Sequence, residues 1–71
     1  MTLRFHRKIY PRAAVVSAVE TYGAVAQVAL RKEGDYAVVE VEAGSPEDTA
    51  EVAGELRNWA LGQAIVLRGE G

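Results

Sequence analysis

Two alternating runs separated by only four residues constrain this chain more than any other feature of it. In Val25–Arg31, the residues Ala26, Val28 and Leu30 alternate with Val25, Gln27, Ala29 and Arg31. In Tyr36–Glu42, the residues Ala37, Val39 and Val41 alternate with Tyr36, Val38, Glu40 and Glu42. A period of two sends one set of each run to the core side of a sheet and the other set outward. Lys32-Glu33-Gly34-Asp35 leaves room only for a reversal, and Gly34 can supply the positive φ that a tight turn needs. A β-hairpin is predicted. A hairpin alone is marginal in water, so the rest of the chain must cover one of its faces.

The flanking segments offer that cover. Thr2–Tyr10 reads as a third strand, with Leu3, Phe5 and Ile9 on one face, Arg4, His6 and Lys8 on the other, and Arg7 at a rim. Pro11 ends that ladder and suits the first position of a helix over Pro11–Gly23. Val15, Val16, Val19 and Tyr22 then share a stripe, and Gly23 stands where a C-terminal cap belongs. Ser45-Pro46-Glu47-Asp48 is a dense helix start, with a capping hydroxyl, a proline and two acids at the positive end of the dipole. The stripe that follows is Thr49, Val52, Ala53, Leu56, Trp59 and Ala60. Gly54 within it costs up to about 1 kcal/mol relative to Ala, unless another backbone packs closely there. Gly62 offers a stop, after which Ala64–Leu67 either forms a short fourth strand or extends the second helix.

The order is therefore β-α-β-β-α, a two-layer α+β sandwich with two helices on one face of a mostly antiparallel sheet. With the optional last strand it becomes the ferredoxin-like split βαβ pattern. One domain is expected over residues 1–68, with 69–71 frayed. The first strand is expected beside the third and parallel to it, which brings Arg4, His6 and Lys8 close to Glu40 and Glu42. A chain of 71 residues buries only about 60% of the surface it exposes when unfolded, so a partner or a second copy is expected.

Charge and composition exclude several functions. Eight basic and ten acidic residues leave a formal charge of −2 and a pI near 5.3, the wrong balance for neutralising phosphates. The distribution is uneven: residues 1–12 hold Arg4, Arg7, Lys8 and Arg12 with no acid, whereas residues 33–55 hold eight acids and no base. Such asymmetry marks either an interaction arm or, as the simpler expectation, two segments that lie side by side and neutralise each other. No nucleic-acid, membrane or metal partner is expected. With no Cys there is neither a disulfide nor a thiolate metal site. Apolar stretches such as Ala13–Val16 and Ala64–Leu67 reach four residues, too short for a signal peptide or a membrane span, and a cytoplasmic location is expected.

Catalytic chemistry is not visible. His6 is the sole histidine, Ser17 lies in a helix and Ser45 is a cap, so no nucleophile, base and orienting group converge. Glu47, Asp48 and Glu51 are ordinary complements to a helix dipole. The scattered glycines make no phosphate loop, and no cofactor is implied. What remains is contact surface: Tyr10, Gln27, Tyr36 and Val38 along the sheet, and Asn58, Trp59 and Gln63 towards the end of the second helix, where Trp59 is either core or contact residue. A small-molecule-binding regulatory domain is the alternative, by analogy of fold alone.

Two stretches also resemble a known family. Phe5 to Tyr22 runs from a strand through Ile9-Tyr10-Pro11 into a helix bearing Tyr22, and Glu55-Leu56-Arg57-Asn58-Trp59-Ala60-Leu61-Gly62-Gln63 is a Leu-containing segment with a central Asn. With the hairpin between them, the chain resembles HxsD-like proteins, small companions of His-Xaa-Ser repeat peptides and radical-SAM maturation enzymes. Tyr10, Asn58 and Leu61 carry the resemblance. It implies an accessory part that binds a peptide or an enzyme and has no catalysis of its own.

Overall fold

The structure is a computed structural model that describes residues 1–69. Its elements are β1 (Thr2–His6), α1 (Arg12–Tyr22), β2 (Gln27–Glu33), β3 (Tyr36–Glu42) and α2 (Pro46–Gly69). The sheet order is β1-β3-β2, and β3 is antiparallel to both neighbours. Leu3 and Phe5 of β1 and Val39 and Val41 of β3 pack with Val15 and Ala18 of α1 and Ala53, Leu56 and Ala60 of α2. Both helices therefore cover the same face. The two-layer α+β sandwich expected from the hydrophobic periods is the architecture observed.

The direction of β1 corrects the expectation. It is antiparallel to β3, not parallel, with Thr2 opposite Glu40, Arg4 opposite Val38 and His6 opposite Tyr36. The crossover through α1 makes β2 run the same way as β1, and the hairpin then reverses the chain. A strand inserted between β1 and β2 must oppose both. Arg4 consequently faces Val38 across the strands rather than an acid.

β1 is also shorter than its alternation suggested. The amides of Ile9 and Tyr10 both donate to the His6 carbonyl, at 3.0 and 2.9 Å, and turn the chain out of the sheet. Lys8 N donates to His6 Nδ1 at 3.1 Å. Ile9 is left 52% exposed instead of entering the core. Tyr10 folds back so that its ring meets Phe5 edge-on, with centroids 4.9 Å apart. Pro11 caps α1 from outside, its carbonyl accepting from Ala14 at 2.9 Å.

The other boundaries follow from local chemistry. Gly23 keeps a right-handed φ of −62°, so it is no left-handed cap. A Cβ there would lie 3.0 Å from the Val19 carbonyl oxygen, and close approach accounts for the glycine. Val25 and Ala26 donate back to Tyr22 at 3.1 Å, delaying β2 until Gln27. The hairpin closes on Glu33 and Tyr36, which leaves Gly34-Asp35 as a two-residue turn. Gly34 has φ +59° and Asp35 does not adopt positive φ, the combination a type II′ turn requires.

Ser45 starts α2 as expected, its Oγ accepting from Asp48 N at 3.1 Å. The buried Thr49 hydroxyl accepts from Ala43 N at 3.0 Å. Gly62 does not stop the helix, and Ala64–Leu67 extend it instead of forming a fourth strand. Ala64 is buried as part of α2, and the neighbours of Gly62 are good helix formers that carry the helix past one glycine. At 24 residues α2 is about 36 Å long, nearly the 38 Å of the whole molecule. Of the expected frayed tail, Gly69 ends α2, and residues 70 and 71 lie outside the described residues.

Large-to-small substitutions separate the true core from the expected one. Phe5→Ala should cost about 3–5 kcal/mol and Leu56→Ala about 2–5 kcal/mol, whereas Ile9→Ala should stay within about 0.5 kcal/mol. Urea unfolding checks this. A large loss at Ile9 would contradict the turn after His6.

Candidate functional site

With both helices on one side, the other face of the sheet is open. Across it runs a chain of polar contacts. Arg31 Nη1 donates to Glu40 Oε2 at 2.8 Å, Arg31 Nε to Glu33 Oε2 at 2.6 Å, and Thr2 Oγ1 to Glu40 Oε1 at 2.7 Å. Hydrogen bonds from Thr2 and then from Arg31 hold the Glu40 carboxyl below its usual range. The Arg31 hydrogen bond does the same for Glu33, and the two carboxylates in turn raise the guanidinium. The acids of β3 are thus partly neutralised by Arg31 within the hairpin, not by Arg4, His6 and Lys8. His6 and Tyr36 meet edge-on on this face, with ring centroids 4.9 Å apart.

The sheet's edges follow from the ladder. Met1 and Val41 exchange both backbone hydrogen bonds, at 2.7 and 2.8 Å, and Arg7 N donates to the Asp35 carbonyl at 3.0 Å. In an antiparallel pair the bonded residues alternate, so Leu3 and Phe5 also spend their peptide groups on β3. The peptide groups of Thr2 and Arg4, and the N–H of His6, then point to the outer edge. Among the described residues no strand pairs with that edge. On the opposite side Val28, Leu30 and Lys32 direct their peptide groups outward from β2 by the same alternation.

A cleft of about 170 Å³ opens where the hairpin turn meets the start of α1. Phe5, Tyr10 and Tyr36 form its apolar wall, and Arg7, Arg12, Lys32 and Asp35 line it with charge. Arg7 Nε pairs with Asp35 Oδ1 at 3.1 Å, so three cations share one carboxylate. The first turn of α1 holds no acid, and no side chain caps it. This arrangement favours an anionic group on the ligand side.

The seven contact residues expected from sequence do not form one surface. Tyr10 and Tyr36 come together in the cleft. Gln27 is exposed at the far end of β2, opposite Glu42. Val38 is 0% exposed even though it lies on the open face, flanked across the strands by Arg4 and Arg31. Arginine stems cover apolar neighbours readily, and Val38 has no area to offer a partner. Trp59, 39% exposed, joins the helices: its indole N–H donates to Ser17 Oγ at 3.0 Å, and its ring meets Tyr22 edge-on at 6.3 Å. Asn58 is exposed and Gln63 half-buried, both on α2 and apart from the sheet residues. Sequence reasoning missed the convergence of Arg7, Arg12 and Lys32. The acid-free first twelve residues signalled two of them, but Lys32 arrives only through the fold of the hairpin.

Among the described residues no three His, Asp or Glu side chains group as metal ligands. No described helix is long and apolar enough to cross a membrane. Fold and surface define the class: a small α+β domain with an uncovered sheet face, two open edges and a basic cleft. The sequence matches no protein-family model, no curated protein and no solved structure.

The hydrogen bonds at Glu40 and Glu33 set an acid limb. Both carboxyls are depressed in the folded state, so their contribution is complete above the ordinary carboxylate pKa of about 4.3 and is lost as pH falls through the lower folded values. Melting temperatures recorded from pH 7 to pH 2 should drop along that limb. Glu40→Gln should start lower at pH 7 and converge with the parent at the acid end. Parallel curves would contradict the role of Glu40.

Proposed function

We propose that the protein is a non-enzymatic interaction module that takes up an extended peptide along the free edge of β1. The outward peptide groups of Thr2 and Arg4 and the outward N–H of His6 carry this reading. They supply donors and acceptors that an added strand can pair with, and alternate side chains of that strand supply specificity. Side chains of an added strand that face the open side lie beside Thr2, Arg4 and His6, which favours acidic and hydrogen-bonding residues in the peptide. The resemblance to HxsD-like proteins supports the same class of partner, a peptide handled by a maturation system with this chain as an accessory part. In this reading the module works in the cytoplasm, in keeping with a chain free of cysteine.

The cleft favours a second reading, a regulatory domain for a small anionic molecule. Arg7, Arg12 and Lys32 would hold a carboxylate or phosphate while Tyr10 and Tyr36 flank it.

Amide chemical shifts followed during titration separate the two. Extended acidic peptides should move the Thr2, Arg4 and His6 amides. Arg4→Pro, which deletes one outward N–H without touching the ladder to β3, should abolish binding. Shifts confined to Arg7, Tyr10, Arg12 and Lys32 upon addition of small anions would favour the second reading. No shift along β1 with any extended peptide would overturn the first.

A further inference from the structure

We propose that two copies of this chain associate through the outward face of α2, antiparallel about a two-fold axis between Arg57 and Asn58. This goes beyond peptide capture at β1 and does not rest on it. The face consists of residues at spacings of three and four: Glu47, Ala50, Gly54, Leu61, Ile65 and Arg68. All six are exposed, and Leu61 and Ile65 are 44% and 63% accessible although they are large and apolar. None of them belongs to the core that α2 shares with the sheet and α1.

The order of sizes and charges along this face is self-complementary. Gly54 and Leu61 lie equally far from the point between Arg57 and Asn58, about 5 Å along the axis. Ala50 and Ile65 are each about 11 Å from it, and Glu47 and Arg68 about 16 Å. An antiparallel second copy therefore sets Leu61 against the partner's Gly54, Ile65 against the partner's Ala50, and Arg68 against the partner's Glu47. Each large apolar side chain meets a small one, and each end closes on opposite charges. A parallel copy would instead stack the acidic first half of α2, with Glu47, Asp48, Glu51 and Glu55, on itself.

Gly54 is the position on this face where a second backbone can come closest. A Cβ at Gly54, as at Gly62, would meet nothing within 4 Å, so among the described residues no contact calls for glycine in this exposed stretch of helix, which it weakens. Close approach of a second backbone at Leu61 of the other copy would make use of it. Arg57 and Asn58, exposed at the axis, flank the contact and reach solvent on either side. Arg68 Nη2 donates to the Lys8 carbonyl, and its remaining N–H groups are available to a carboxylate. One helix face is smaller than a standard protein interface, so the association is concentration-dependent and not obligate.

Sedimentation equilibrium of the full chain across micromolar to millimolar concentrations tests this. A reversible monomer–dimer transition is expected, weakened at least tenfold by Gly54→Leu and by Leu61→Glu. Gly54→Leu has room in the monomer and improves helix propensity, so its dilute melting temperature should not fall. Glu47→Arg and Arg68→Glu should each weaken the dimer, and their combination should restore it. Asn58→Cys should form a disulfide-linked dimer on oxidation, and Glu47→Cys should not. A strict monomer at the highest concentration, or a dimer indifferent to Gly54→Leu and Leu61→Glu, would overturn the proposal while leaving peptide binding at β1 untouched.

Discussion

β3 carries both ladders of the sheet. The peptide groups of Ala37 and Val39 pair with β1 and those of Val41 with Met1 just before it, while those of Tyr36, Val38, Glu40 and Glu42 pair with β2. Side chains divide the same way: Val39 and Val41 enter the core beneath the helices, while Glu40 organises Thr2 and Arg31 on the open side. With β3 in the middle, β1 and β2 must run parallel to each other, and α1 must cross from one to the other over a single face. α2 then closes the core by setting Ala53, Leu56 and Ala60 against Leu3, Phe5, Val39 and Val41.

The same arrangement determines what the molecule offers a partner. A three-stranded sheet without a fourth strand keeps two edges, and a pair of helices on one face leaves the other bare. Ala64–Leu67 stay helical, so the strand that would have covered β1 in a split βαβ fold is not formed. Their helical state also lengthens α2 until its last turns carry Leu61 and Ile65 on a face that neither the sheet nor α1 covers. Both the open edge and the apolar helix face thus trace to one local outcome, the failure of Gly62 to end the helix.

Local signals were legible in the sequence wherever they coincided with tertiary need. The hairpin, the Ser45-Pro46 helix start and, of the stripe Thr49, Val52, Ala53, Leu56, Trp59 and Ala60, the buried Thr49, Ala53, Leu56 and Ala60 are where their periods placed them, although β2 is shifted two residues on from Val25–Arg31 to Gln27–Glu33. Alternation alone misled at Ile9, because the tight turn accepted by the His6 carbonyl lies beyond what hydrophobic period encodes. The direction of β1 was missed because a crossover and a hairpin must be combined to orient it. Gly62 was misread since a glycine in a sequence does not announce whether its neighbours will hold a helix. At the site, Tyr10 and Tyr36 were legible as aromatic surface, but Val38 was not legible as covered. It is 0% exposed, and its cross-strand neighbours, Arg4 and Arg31, stand on two different strands that only the fold brings together.

Hydrogen–deuterium exchange of the backbone amides tests the open-edged sheet most directly. The account predicts alternation along β1, with Leu3 and Phe5 exchanging slowly through their bonds to β3 and Arg4 and His6 exchanging fast at the outer edge. Along β3 every amide should be slow. Uniform protection along β1 in the isolated protein would contradict the account, because it would mean that another strand already occupies the edge.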